Sequence, residues 1–289
     1  MHRNKENPMP EHSSSFDLAN DFKAYFHEKV QNIRNNFPDS NPSSMDFDGS
    51  DTHDTLNHFR ALSDEDILKL LRQSNDKYCE LDSMPTPLVK KCANELLPLL
   101  KRIVNESLRQ GYVPEKCKTA IVRPLLKKPS LDRILKNYRP VSNLNFIGKL
   151  IERAVNIQIS SHMTTNNSNE KMQSAYKSGH SCETALVKIF NDLLTHLDHN
   201  RAVLLTLLDL SAAFDTVDHD ILLKRLEITH GISGQALKWI KSYLTGRTTR
   251  VCVADAYSDL ITLDVGLPQG SQLGPRLYSA YIDLTQPVD

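Results

Sequence analysis

The chain has 289 residues, 39% of them apolar and 24% charged, with 35 Lys/Arg against 35 Asp/Glu. This is ordinary globular composition and long enough for one large or two small domains. No apolar run reaches the ~20 residues of a membrane span, no signal-peptide core follows Met1, and five scattered cysteines without a C-x-x-C pair signal neither a zinc site nor a disulfide framework. An intracellular protein is expected, nuclear or cytoplasmic and not secreted. The zero net charge conceals segregation: residues 1–85 carry nine Lys/Arg against sixteen Asp/Glu, and residues 101–153 thirteen against four. A basic segment of that kind either follows a phosphate backbone or is a solvated surface.

Taken in order, residues 1–62 read as a linker, largely disordered, with disorder clearest over the acidic, Ser-rich stretch 41–58. One helix is expected inside it, at 16–37, where Leu18, Phe22, Phe26, Val30 and Ile33 recur at helical spacing. Ser63 caps a short helix with acids in its first turn and Ile67, Leu68, Leu70 and Leu71 as its stripe. A longer helix starts at Thr86-Pro87 and stops at Gly111, and Pro98 should kink or split it. Residues 119–126 read as a strand that Pro124 assigns to an edge. A helix follows with Phe146, Ile147, Leu150, Ile151, Ala154 and Val155. Ser181 caps another, whose expected buried side is Leu186, Ile189, Phe190, Leu193 and Leu197.

Val203, Leu204, Leu205, Leu207, Leu208 and Leu210 then leave no polar face, which predicts a strand covered on both sides and ending in the single acid Asp209. A divalent metal would stabilise that carboxylate; a strand followed by a capping Asp would look the same. Two helices are expected beyond it, at 219–227 and from Ser233 to 244. A hairpin over 250–253 and 260–265 feeds a glycine-rich loop, and a final helix spans 271–284.

Two stretches carry more than periodicity: LLTLLDLSAAFDTVDHD at 204–220 and GLPQGSQLGP at 266–275. Each resembles, over ten or more positions, the first and second palm motifs of reverse transcriptases from LINE-type (non-LTR) retrotransposons, of the Jockey or CR1 kind. The resemblance extends from about residue 80 to the C-terminus. It implies an α+β right-hand polymerase fold: a helical extension at 63–118, fingers at 119–202 and an incomplete palm at 203–289. By the same resemblance Asp209 and the carbonyl of Leu210 would bind catalytic Mg²⁺ or Mn²⁺, since two-metal transfer uses cations roughly 4 Å apart held by hard oxygen ligands. Phe214 would be the steric gate that excludes a 2′-hydroxyl. Gln269 and Gly270 would lie against nucleotide and template base, and Arg139 of NYRP with Lys127 would grip the triphosphate. Arg123 and Lys128 would contact nucleic acid. QSAYKSGHSCETA at 173–185 is similar to the motif joining fingers to palm, although the family usually has Phe and Arg where this chain has Tyr176 and Lys177.

The implied substrates are an RNA template, a DNA primer and deoxynucleoside triphosphates. The family's third motif, an aromatic-x-Asp-Asp run, does not occur, and Asp283 stands alone. Asp215, Asp218 and Asp220 read as a helix N-terminal cluster in preference to substitute ligands. The expectation is therefore a polymerase fragment inactive alone. The rivals are a non-catalytic nucleic-acid-binding remnant using the basic fingers and, less favoured, a metal hydrolase built on Asp209.

Overall fold

The structure is a computed structural model that describes residues 8–36, 54–76, 79–168, 172–177, 179–210 and 212–282. Most of the expected disordered stretch, residues 41–53, lies outside these, as do Ser211 and Asp283.

Helix α1 (Ser15–Asn35) is capped by the Ser14 hydroxyl, and α2 (Asp64–Arg72) by a reciprocal box between Ser63 and Asp66. The next helical region is split, as expected, but at Cys92 and not at Pro98: α3 (Thr86–Lys91) ends there and α4 (Ala93–Gln110) carries Pro98 inside it. Strand β1 (Thr119–Leu126) pairs antiparallel with β2 (Tyr138–Asn143), which leads into α5 (Phe146–Thr165). Helices α6 (Cys182–Asp198), α7 (His219–Ile228) and α8 (Gly234–Leu244) follow. Strands β3 (Arg247–Val253), β4 (Ala256–Tyr257) and β5 (Ile261–Leu263) precede α9 (Gly274–Ile282). Helices and a small sheet, ordered β2-β1-β3-β4 with β5 also on β3, make this an α+β fold.

β1 is an interior strand, which corrects the edge position inferred from Pro124. Its parallel pairing with β3 covers only residues 119–122, so Pro124 lies past the point where that side needs a donor. On the other side Pro124 faces Pro140. The Lys127 N–H donates to the Asn137 carbonyl at 2.9 Å, which makes Leu126–Tyr138 a non-hydrogen-bonded pair; two residues back, Pro124–Pro140 is another. Neither proline nitrogen is asked for a hydrogen.

The main core joins α2, α4, α5, α7, α8 and α9, with Trp239 at its centre, stacked on Tyr243 at 5.7 Å and edge-on to Phe59 at 6.0 Å. This one core crosses the boundaries drawn at residues 118 and 202. The stretch expected to be a linker enters the fold twice. Phe59 and Leu62 are buried in the core, and Leu56 bridges to Ile232 through hydrogen bonds of 2.9 and 3.0 Å with Gly231 and Ser233. Helix α1 lays Leu18, Ala19 and Phe22 on the sheet face formed by Val122, Tyr138, Val251 and Val253. Burying a ring such as Phe22 contributes roughly 1.5–3 kcal/mol, enough to dock a helix that the sequence leaves isolated.

The expected central strand is not formed. Residues 201–210 are neither helix nor strand, and Leu204, Leu207 and Leu208 are 90%, 80% and 89% exposed. Helix α6 forms with its Ser181 capping box, yet none of its residues is fully buried: Leu186, Phe190 and Leu197 of the expected buried side are exposed, and Ile189 and Leu193 only partly covered. The apolar run correctly reports a need for burial. Among the described residues no element supplies the second surface.

Candidate functional site

The two motif stretches meet, although 54 residues separate Asp215 from Gln269. Residues 212–217 form a tight turn in which the Ala212 carbonyl accepts from the N–H groups of Asp215 (2.8 Å) and Thr216 (3.2 Å), and Ala212 takes a positive φ of 53°. The glycine-rich loop lies along this turn. The Leu267 N–H donates to the Phe214 carbonyl at 2.7 Å, the Gly266 N–H to the Val217 carbonyl at 2.8 Å, and the His219 ring lies 2.8 Å from the Gly266 carbonyl. Gly266 (φ 86°) and Gly270 (φ 84°) are required here twice over: a Cβ would come 2.7 Å from the Asp215 carbonyl oxygen at the first and 2.8 Å from the Ser142 carbonyl oxygen at the second. The loop is thus clamped between the turn and β2.

This arrangement borders a cavity of about 370 Å³. Gln269, Arg139, Lys127 and Asp215 line it, joined by Arg247 and Thr249 of β3 and by Lys23, His27, Lys29 and Arg34 of α1. Arg139 is exposed on β2, where the hairpin pairing with Leu125 holds its backbone. Lys127 is placed by its ammonium, which donates to the Lys136 carbonyl at 2.7 Å. The Gln269 amide nitrogen lies 3.2 and 3.3 Å from the two Asp215 carboxylate oxygens. Burial pushes the Asp215 carboxyl up, against the opposing pull of the Gln269 amide and the Lys29 ammonium.

A buried acid–base pair supports the site from behind. Glu152 of α5 is 3% exposed and accepts from the backbone N–H groups of Gln272 (2.6 Å) and Leu273 (3.3 Å). Burial raises its pKa, and the Arg247 guanidinium opposes the shift. Arg247 is 2% exposed, donates through Nη1 to the Tyr243 carbonyl at 3.0 Å and lies over the Tyr243 ring at 4.9 Å.

Of the residues singled out from sequence, Arg139, Lys127 and Gln269 come together at the cavity, with Gly270 directly beside it. Others do not. Asp209 and Leu210 are exposed on the extended 201–210 segment. The Phe214 ring stacks on Tyr278 (4.6 Å) and meets Tyr176 edge-on (6.2 Å), and is not among the residues lining the cavity. Arg123 is ion-paired with Glu80, which also accepts from the Tyr257 hydroxyl at 2.5 Å. Val122 lines the cavity, so by the alternation of a strand its neighbour Arg123 points to the other face. Lys128 is exposed beyond the β1 end and outside the cavity lining.

A divalent cation at Asp209 does not fit the residues as placed. The Asp209 carboxylate stands in the open, and among the described residues no three His, Cys, Asp or Glu side chains gather where they could hold a metal. Asp218 serves as the N-cap of α7 (3.0 and 3.2 Å) and pairs with Arg34 at 3.2 Å, as a helix N-terminal acid should. Asp215 departs from that grouping and faces the cavity.

Sequence reasoning expected the helix at 16–37 and named Asp215 among helix N-terminal acids, but assigned neither of them, nor Arg247, to the site. For α1 a signal existed: Lys23, His27, Val30 and Arg34 recur at the helical period and share one face. What they face is set by contacts more than 90 residues away in sequence.

Residues 126–286, more than half of the chain, match the family described as "Reverse transcriptase (RNA-dependent DNA polymerase)", and the chain belongs to that family. Within it the chain is of the LINE type, from non-LTR retrotransposons. It is 31% identical, over 75% of its length and 24% of the relative's, to the "Probable RNA-directed DNA polymerase from transposon X-element" of Drosophila melanogaster. It is 30% identical, over 69% of its length and 22% of the relative's, to the "RNA-directed DNA polymerase from mobile element jockey" of Drosophila funebris. The chain spans about a quarter of the length of these curated relatives.

Proposed function

We propose that the chain is the fingers and the first part of the palm of an RNA-directed DNA polymerase, and that its cavity receives the phosphates of an incoming deoxynucleoside triphosphate. In this reading Arg139 supplies a planar fork and Lys127 a point charge for the phosphate oxygens. The Gln269–Gly270 backbone, held close by two positive-φ glycines, borders the nucleotide. An RNA template and a DNA primer would complete the substrate set in the whole polymerase, with Mg²⁺ or Mn²⁺ as its metal.

The observation that carries the reading is the convergence of the second motif's loop and two fingers cations on one cavity of about 370 Å³, within the usual range for small-molecule sites. Binding and chemistry separate here, because Asp209 stands outside the cavity that holds the cations. We therefore expect nucleotide binding without incorporation. That same separation favours the second reading, a nucleic-acid-binding module that uses the cations alone.

Titration calorimetry with a deoxynucleoside triphosphate tests the first reading. Arg139→Ala should weaken binding by about 1.5–3 kcal/mol, the worth of a charged hydrogen bond. Unchanged affinity in that variant, with single-stranded RNA still bound, would support the second.

A further inference from the structure

Helix α1 holds to the fold by its N-terminal half, through Leu18, Ala19 and Phe22, while its C-terminal half passes over the cavity with Lys29 and Arg34 on the lining side. Arg34 is occupied by Asp218 at 3.2 Å and Lys23 faces Asp259 at 3.6 Å, so Lys29 is the α1 cation whose charge bears on the cavity's own carboxylate, Asp215. Arg247 of β3 lines the same cavity, is nine-tenths and more buried, and has no hydrogen-bond partner at Nη2. Nη2 is itself shut off from water, so Arg247 acts on an anion in the cavity through its charge across a poorly screening surround.

We propose that Lys29 of α1 and Arg247 of β3 add two further cations to Arg139 and Lys127 in the lining of the cavity, and that the cavity takes a linear polyphosphate. The proposal rests on the nucleotide-site reading above and adds to it a helix from the N-terminal segment. Three elements then hold the phosphates: α1, the β1–β2 hairpin and β3. Lys29 is exposed, so replacing it leaves the packing of α1 intact.

The test uses the 289-residue chain and inorganic tripolyphosphate in titration calorimetry, with a single-stranded oligonucleotide as a second probe. Lys29→Glu should weaken tripolyphosphate binding by roughly tenfold or more, as expected for reversing one charge beside an anion in a partly buried site. Lys91→Glu, on α3 and exposed, should leave it near the wild-type value. Equal losses in the two variants would mean diffuse charge and overturn the proposal. So would unchanged or tighter tripolyphosphate binding in Lys29→Glu while Arg139→Ala still weakens it, because α1 would then be a bystander or a cover. A loss confined to the oligonucleotide would also overturn it, in favour of a backbone groove. If the wild-type chain binds no tripolyphosphate, the nucleotide-site reading itself falls and this proposal with it.

Discussion

The side-chain amide of Gln269 lies 3.2 and 3.3 Å from the two oxygens of Asp215. This pair joins the two motif stretches on the cavity side, while backbone hydrogen bonds from Gly266 and Leu267 join them behind. An acid that reads in sequence as one of a helix N-terminal trio is thus set apart from it, with Thr216 and Val217 between Asp215 and Asp218. Asp218 caps α7 and Asp215 serves the cavity.

The clamp on the loop should be intolerant of a single methyl group. Gly266→Ala would place a Cβ 2.7 Å from the Asp215 carbonyl oxygen at a φ of 86°. Backbone cannot yield as a flexible side chain can, so a loss of about 2 kcal/mol or more is expected. Gly270→Ala, facing the Ser142 carbonyl at 2.8 Å, should cost a similar amount. Urea unfolding monitored through Trp239 would measure both; wild-type midpoints would mean that the loop moves freely.

The pH dependence of stability should carry the mark of Asp215. Its carboxyl is raised above the ordinary 3.8, chiefly by burial. A raised acid contributes stability fully below its unfolded value and loses it as pH rises through the folded value. Asp215→Asn keeps an acceptor for Gln269 and removes the charge. The variant should match wild type near pH 3.5 and exceed it at neutral pH, with a flatter thermal midpoint against pH between them. A variant less stable at pH 7 would mean that Gln269 and Lys29 outweigh the burial.

Primer extension on an RNA template should give no incorporation with the isolated chain in Mg²⁺ or Mn²⁺, because Asp209 is exposed and among the described residues no group of metal-ligating side chains assembles around it. Asp209→Ala should then behave as wild type. Incorporation that disappears in Asp209→Ala would show that the 201–210 segment folds into the site when substrates bind.

Self-association should follow from the apolar surface of α6 and the segment after it. Leu186, Val187, Phe190, Leu194 and Leu197 are all more than half exposed, and so are Leu204, Leu207 and Leu208 shortly after them in sequence. Exposed apolar surface on this scale drives association. The double variant Phe190→Lys, Leu207→Lys should raise the monomer fraction in light scattering without lowering the unfolding midpoint. A wild-type chain that stays monomeric at high concentration would require another element to cover this face.

Periodicity and local chemistry were enough to read much of the fold in advance. Several helix ends fall where caps and glycines place them, because those signals act within a turn or two of backbone: Ser63 before α2, Ser181 before α6, Gly111 after α4. The motif wording was enough for the family. Three things depended on the fold as a whole. Pro124 reads as an edge residue, yet it occupies an interior strand because it stands at a non-hydrogen-bonded position opposite β2 and beyond the end of the pairing with β3. The apolar run at 203–210 reads as a buried strand, but burial needs a second surface, and a segment's hydrophobicity states the need without naming the partner. Helix α1 shows its apolar stripe plainly, while the cavity it overhangs is made by β2, β3 and the 266–270 loop, far along the chain. Local spacing determines which side of a helix is apolar and which is charged; only long-range packing decides what each side meets.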